Sequence, residues 1–310
     1  MRAQVMTDKI AALTLARLLA KGLLVGIWVP PEPVRQLRAL LAQRTKMTRL
    51  ATQAKNRLHA ALHRHHLLPP PGDLFAAQRR DWWLALPLCA AELATMQCDL
   101  DSLAFAQQQI DKLEVTLTLL AGQDQRMPLL IQLPGISLLT ALVILAAIGS
   151  ILRFPSAKKL VGYSGLGARI HDSGQTTRTA KITKCGRKDL RAAMVEAAQS
   201  AANTHPRWQA ELARLEPRLG RNKAIVAIAR KLLVSVWHVL THQTADRHAD
   251  PTRVARKLLQ HAYRLGSANR PKGQAPAQYV RLHLDRLSLG ADLTAVPCQP
   301  GDSQPSSFCA

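Results

Sequence analysis

Apolar residues recur at helical spacing along most of this chain, and strand-like patterns are confined to two short stretches. Thr7-Asp8 opens a helix that runs through Leu13, Leu15, Leu18 and Leu19 and stops at Gly22, with Thr7 as its N-cap. Leu24 to Val29 is a short apolar run closed by Pro30-Pro31, which fits a brief strand or an extended connection. Pro33 to His66 reads as one long amphipathic helix, with Val34, Leu37, Leu41, Leu58 and Leu62 on its apolar side. Leu67 to Gly72, with its consecutive prolines, is a linker, and Trp82-Trp83 follow as packing anchors. From Leu93 the positions 93, 96, 100, 103, 107, 110, 114 and 117 keep a three-four rhythm, interrupted by Gln107 and Glu114. That rhythm predicts a long helix in a coiled-coil-like pairing, within the chain or between chains.

The most apolar segment, Pro128 to Ile148, is cut by Pro134-Gly135 and contains Gln132, so it predicts buried helix rather than a membrane span. Gly162, Gly165 and Gly167 break the next helical pattern. Ala168 to Thr183 then alternates loosely, with Asp172-Ser173-Gly174 as a turn signal between two extended arms. Helical spacing returns after Gly186 at Leu190, Met194, Ala197, Ala198 and Ala201, and again from Gly220 to His242. Arg253 to Leu265 forms a last short helix, beyond which the chain turns polar, and its composition after Pro297 is that of a disordered end.

Charge changes this picture more than composition does. The 310 residues carry a net charge of +22, with a pI of about 10.8. An excess of this size points to a polyanionic partner, because each phosphate contact releases condensed counterions. No stretch reads as long and apolar enough to cross a bilayer, so a membrane partner is not expected. Cysteines at 89, 98, 185, 298 and 309 show no paired spacing, which suggests neither a zinc site nor a disulfide framework. With no secretory signal at Met1 to Ile10, the expected setting is the reducing cytoplasm.

Two basic features stand out. The polar side of the Pro33 to His66 helix holds Arg35, Arg38, Arg44, Lys46, Arg49, Lys55, Arg57 and Arg64, and like charges at helical neighbour spacing destabilise unless something neutralises them. Nucleic-acid contact through Arg44, Arg49, Lys55 and Arg57 is one solution. The second feature is the 168–183 hairpin, where Arg169, Arg178, Lys181 and Lys184, followed by Arg187, surround a serine at a turn. A serine so placed is suited to meet a phosphodiester, although Asp-Ser-Gly is also ordinary turn chemistry. Ser164 sits in a helix ending, where packing is the simpler role.

The order Tyr163, Gly165-Leu166, Ser173-Gly174, Ile182-Thr183-Lys184, Gly186, Leu190-Arg191 resembles the C-terminal domain of the IS-one-ten, or DEDD, family of insertion-sequence transposases. The resemblance spans roughly Met6 to Leu240. It implies DNA transposition by serine-mediated strand cleavage and exchange, in a homo-oligomer with DNA and a structured guide RNA, and by position it implies that Ser173 is the nucleophile. Leu133-Pro134-Gly135-Ile136 with the following apolar helix resembles a helix-hairpin-helix element, which would offer phosphate contacts at Pro134 and Gly135.

The N-terminal stretch resembles the end of the family's RuvC-like domain, in which Asp8 matches a catalytic, metal-binding aspartate. Three residues later the pattern's second aspartate is replaced by Ala11. A two-Mg²⁺ site needs several carboxylates around ions about 4 Å apart, so Asp8 alone is an incomplete site for the Mg²⁺ that the family implies. Asp8 also suits the first turn of a helix, where the dipole favours an acid.

The expectation is therefore a mainly α protein in four parts. Residues 1–68 form a RuvC-like remnant with the basic helix, and 69–125 a linker and coiled-coil-like helix. Residues 126–245 form a helical transposase domain with a helix-hairpin-helix element and short β-hairpin, and 246–310 a partly disordered tail. The function expected is that of a DNA-binding transposase, with this chain a catalytically impaired fragment. The alternative is a non-catalytic, nucleic-acid-binding or regulatory derivative.

Overall fold

The computed structural model describes residues 7–24, 26–173, 176–270, 273–291, 296–297 and 308–309; for 170–173, 176–181, 296–297 and 308–309 it describes the backbone. Helices dominate. In chain order they are α1 (Asp8–Ala20), α2 (Glu32–Arg64), α3 (Arg80–Leu84), α4 (Ala90–Gln123), α5 (Met127–Ile131), α6 (Leu138–Ile148) and α7 (Ala157–Ser164). An antiparallel hairpin, β1 (Ala168–Ser173) and β2 (Thr176–Ile182), precedes α8 (Lys188–Thr204), α9 (Pro206–Leu219), α10 (Arg221–His242), α11 (Pro251–Asn269) and α12 (Pro276–Arg286). A short pairing of β3 (Val296–Pro297) with β4 (Phe308–Cys309) completes the described elements. The expected disorder after Pro297 falls mostly outside the described residues.

The main core lies where α5, α6, α8, α10 and α11 meet, around Leu130, Ile144, Met194, Ala198, Leu232 and Leu258. The positions 190, 194, 197, 198 and 201 are buried on α8, as the helical spacing requires. α10 is long and apolar enough to cross a membrane by length and composition, which the sequence reading missed. Its Ile225, Ile228, Leu232, Leu233 and Val236 are buried in the core, so the apolar side is already used by the fold.

α2 and α4 pack along one another and join the main core through Leu41, Leu117 and Ala121. Their far end has its own small core, in which Trp83 is almost wholly buried against Leu58, Leu62 and Met96. The Trp83 indole nitrogen donates to the Leu74 carbonyl at 3.1 Å, and Phe75 stacks on its ring. On α4 the apolar positions 96, 100, 103, 110 and 117 are buried together with Ala106, while Gln107 and Glu114, the interruptions of the three-four rhythm, are exposed.

Of the two alternatives for Leu24 to Val29, the described residues form no strand and leave the connection. Two expectations are corrected. Gly162 lies inside α7, and Gly165 alone ends that helix, at φ +71°. The segment after residue 245 is largely part of the fold. α11 and α12 place Val254, Leu258, Leu259, Val280 and Leu284 in the main core, with a kink at Gly266. Polar residues between these helical anchors disguised them as a tail.

Candidate nucleic-acid interface

The hairpin emerges from the main core between α7 and α8. Its strands pair Ile170 with Thr179, His171 with Arg178, Asp172 with Thr177 and Ser173 with Thr176, with an irregularity between Ala168 and Ile170. Asp172 and Ser173 are thus strand residues, and the connection begins after Ser173. Gly174, the last residue of the expected turn, lies outside the described residues, as do the side chains of Ser173, Arg178 and Lys181.

The root of the hairpin is described in full. Thr183 N–H donates to Gly167 O at 2.9 Å, Lys184 N–H to Gly165 O at 3.2 Å and Arg187 N–H to Tyr163 O at 2.9 Å. Arg169 and Lys184 are exposed there, as are Lys188 and, at the start of α7, Lys158 and Lys159. Arg187 is committed differently, because its guanidinium forks onto the Asp189 carboxylate. Ser164 is buried, donating to Val161 O at 2.7 Å and accepting from Leu166 N–H at 3.3 Å, so its role is local packing and helix termination.

The α5–α6 turn that carries Pro134 and Gly135 packs closely on α8. A Cβ on Gly135 would stand 2.0 Å from the Ala197 carbonyl oxygen, and its φ is +75°. Glycine is required there by helix packing as well as by backbone conformation. From the other side Lys257 of α11 donates to the carbonyls of Ile131, Leu133 and Ile136 at 2.8–3.1 Å. Burial lowers the pKa of that ammonium to about 8. Nothing in the sequence distinguishes this lysine from its exposed neighbours. The α6 N-terminus, capped by Ser137, borders a cavity of about 380 Å³ shared with Ser200, Thr204 and Arg264.

The basic side of α2 is mostly answered inside the chain. Arg44 donates to Glu114 at 3.0 Å, Arg57 to Asp99 at 2.7 Å and Arg64 to Glu92 at 2.6 Å. Arg38 donates to the carbonyls of Ala146 and Ala147 at the end of α6, and Lys55 lies over the Phe75 ring. The acids of α4 thus neutralise the like-charge crowding on α2. Lys46 and Arg49 remain exposed, so Arg49 is the α2 candidate left facing solvent without an acid opposite among the described residues. Asp8 is exposed in the first turn of α1, behind the Thr7 cap. Among the described residues no three His, Cys, Asp or Glu side chains cluster around a possible metal position.

Residues 127–213, from the start of α5 into α9, match the family model described as "Transposase IS116/IS110/IS902 family". The chain is 26% identical over 261 residues to a Sinorhizobium fredii protein named as transposase y4qE, covering 82% of this chain and 63% of that one. It is 27% identical over 226 residues to the transposase for insertion sequence element IS1111A of Coxiella burnetii, covering 69% and 60%. Over 121 residues it is 36% identical to a pilin gene-inverting protein of Moraxella bovis, covering 38% and 37%. The chain therefore spans about three fifths of the length of the first two relatives. By its α5–α9 segment and by these relatives, the chain is similar to transposases of the IS116/IS110/IS902 family.

Proposed function

We propose that this chain is a DNA-binding transposase or recombinase component of an insertion sequence, with Ser173 as the nucleophile for strand cleavage and exchange. The observation that carries this reading is the coincidence of the family-matched segment with the helices that present the β1–β2 hairpin. Ser173 ends β1, and the exposed cations Arg169 and Lys184 stand at the hairpin's two roots. Attack by the hydroxyl forms an Oγ–P bond and breaks one P–O ester bond. The serine proton goes to the departing alkoxide, leaving a free hydroxyl end, and cations nearby meet the charge that develops on the phosphoryl oxygens.

A structured guide RNA and further copies of the chain are partners on this reading, and the cytoplasm is its setting. Mg²⁺ belongs to the same reading, but the described residues do not fit a two-metal centre. Asp8 is a single exposed carboxylate, and Ala11 stands where a second would be needed. We therefore assign no metal-dependent step to these residues, and the chain binds DNA without cleaving it alone. Ala11 also favours the second reading, a regulatory derivative that binds nucleic acid and joins active relatives without reacting.

The test incubates the purified chain with supercoiled element-end DNA, candidate guide RNA and Mg²⁺, then looks for protein-linked DNA beside Ser173→Ala. Salt-sensitive binding without an adduct supports a binding-only component. An adduct that the alanine variant loses establishes Ser173 as nucleophile and overturns the claim that this chain does not cleave alone. Binding that ignores salt between roughly 50 and 200 mM would sink the phosphate-contact reading altogether.

A further inference from the structure

We propose that Arg191 is a positioning residue that clamps the two legs of the β1–β2 hairpin and sets the direction in which its far end, with Ser173, projects. The role assigned to Ser173 rests on the reading above; the clamp itself does not. One terminal guanidinium nitrogen of Arg191 donates to Ser164 O at 3.0 Å and to Lys184 O at 3.1 Å. The first carbonyl ends α7 just before the outgoing leg, and the second follows the returning leg. A nitrogen with two N–H groups can serve both at once.

The residues around this contact leave room for it and repeat its connection. A Cβ on Gly165 would lie 2.6 Å from that same nitrogen, so any side chain there would push the guanidinium off both carbonyls. A Cβ on Gly186 would lie 2.3 Å from Tyr163 O, the acceptor of the Arg187 amide. Lys184, at φ +56°, turns the returning leg so that its N–H meets Gly165 O while its C=O faces Arg191. The Thr183 hydroxyl adds a bond to Gly165 O at 3.4 Å. Leu190, the neighbour of Arg191, is fully buried in the main core and fixes the first turn of α8 from which the arginine reaches back.

Tyr163, Gly165, Thr183, Lys184, Gly186 and the Leu190-Arg191 pair thus meet in one joint, although they are scattered over 29 positions of sequence. A two-stranded ribbon alone is marginally stable in water, so its direction is set where it is rooted. Among the described residues Arg191 is the side chain that bonds to backbone on both sides of that root.

Hydrogen exchange on the full chain tests this without requiring activity. Arg191→Met keeps an unbranched apolar stem but removes every donor. Amides of 168–182 are expected to exchange at least about tenfold faster, since charged hydrogen bonds to two carbonyls are lost, while α10 amides stay unchanged. Arg191→Lys, whose ammonium can still donate, is expected to recover part of the protection. If the methionine variant does not fold, Arg191→Gln carries the same expectation. Unchanged hairpin exchange, or a rise of equal size in α10, overturns the clamp.

DNA binding separates this role from a phosphate contact. Arg191→Met should weaken binding while leaving the slope of log affinity against log salt unchanged, whereas losing a phosphate contact lowers that slope by about one. A slope that falls with Arg191 makes it a DNA contact and overturns the positioning role. If the wild-type chain binds no DNA, the functional reading fails and the exchange result still decides the clamp.

Discussion

Trp28 packs on Gly149, the residue that ends α6, so closely that a Cβ on the glycine would come within 2.6 Å of the indole. The Arg153 guanidinium lies 3.5 Å from the indole centroid and that of Arg38 at 5.3 Å, and both arginines also donate to carbonyls at the end of α6. The arginines therefore cap a helix C-terminus and hold the tryptophan together. α1 buries none of its residues, and Leu13 and Leu19 are more than half exposed. The half-buried Trp28 is consequently the main attachment of the described residues 7–29.

Trp28→Ala should release this segment and leave the rest folded. Limited trypsin digestion reads the effect at Arg17 and Lys21, where cleavage should rise about tenfold, as expected for losing a cation–π contact and its packing. Gly149→Ala should act in the same direction, because it displaces the ring and strains a residue at φ +67°. Unchanged cleavage in both variants would mean that the segment is held by other contacts.

Lys257 makes a second prediction. Its ammonium serves three carbonyls of the α5–α6 turn, so Lys257→Met removes a donor from each and leaves Leu133 O with the Ile136 N–H alone. The gain from removing a desolvated charge offsets part of this cost. A net loss of about 3 kcal/mol, or roughly 5 °C in thermal midpoint, is expected for a chain of this size. Circular dichroism melting at neutral pH measures it. A variant as stable as the parent would show that the turn holds itself.

Lys257 also marks the limit of what the sequence disclosed. The long helices were legible because their apolar positions repeat locally, and the hairpin because Ala168 to Thr183 alternates between Gly165 and Gly186, although Asp172 and Ser173 fall in β1 rather than in the turn. Gly135 and Gly165 could be read as turns. That Gly135 is needed to approach Ala197 depends on packing between distant segments. The pairs Arg44–Glu114 and Arg57–Asp99 join residues 70 and 42 positions apart, so charge spacing on α2 alone could not reveal its partner. Gln132 spoke in the sequence only against a membrane span; buried, it accepts from Asp246 N–H and ties the 245 region to the core.

The α11–α12 pair predicts a response to acid. Tyr279 and the Nδ1 of His261 form a 3.0 Å hydrogen bond, and His283 packs edge-on against the tyrosine ring. Burial pushes the pKa of both histidines down to about 4. An unfolded histidine titrates near 6.5, so between about pH 6.5 and 4 the unfolded chain binds more protons. The contribution of these histidines should be flat above this window and fall as pH drops through it. His261 contributes about 2 kcal/mol of the loss at pH 5, and the more exposed His283 less. Thermal melts of His261→Gln should show a shallower acid limb than the parent. An identical limb would remove His261 from the account.

Lys184 joins backbone geometry to the proposed DNA contact, and two substitutions separate them. At φ +56° a lysine carries strain that glycine does not, so Lys184→Gly should be more stable than Lys184→Ala by about 1 kcal/mol. Both variants remove the same exposed charge. If that charge meets a phosphate, both should lose similar affinity for duplex DNA and reduce the salt slope by about one. Arg57→Ala provides the contrast, since Arg57 is already paired with Asp99 and its loss should leave the slope nearly unchanged. A loss of affinity that follows stability rather than charge would place Lys184 in the hairpin joint alone and leave DNA contact at the root to Arg169.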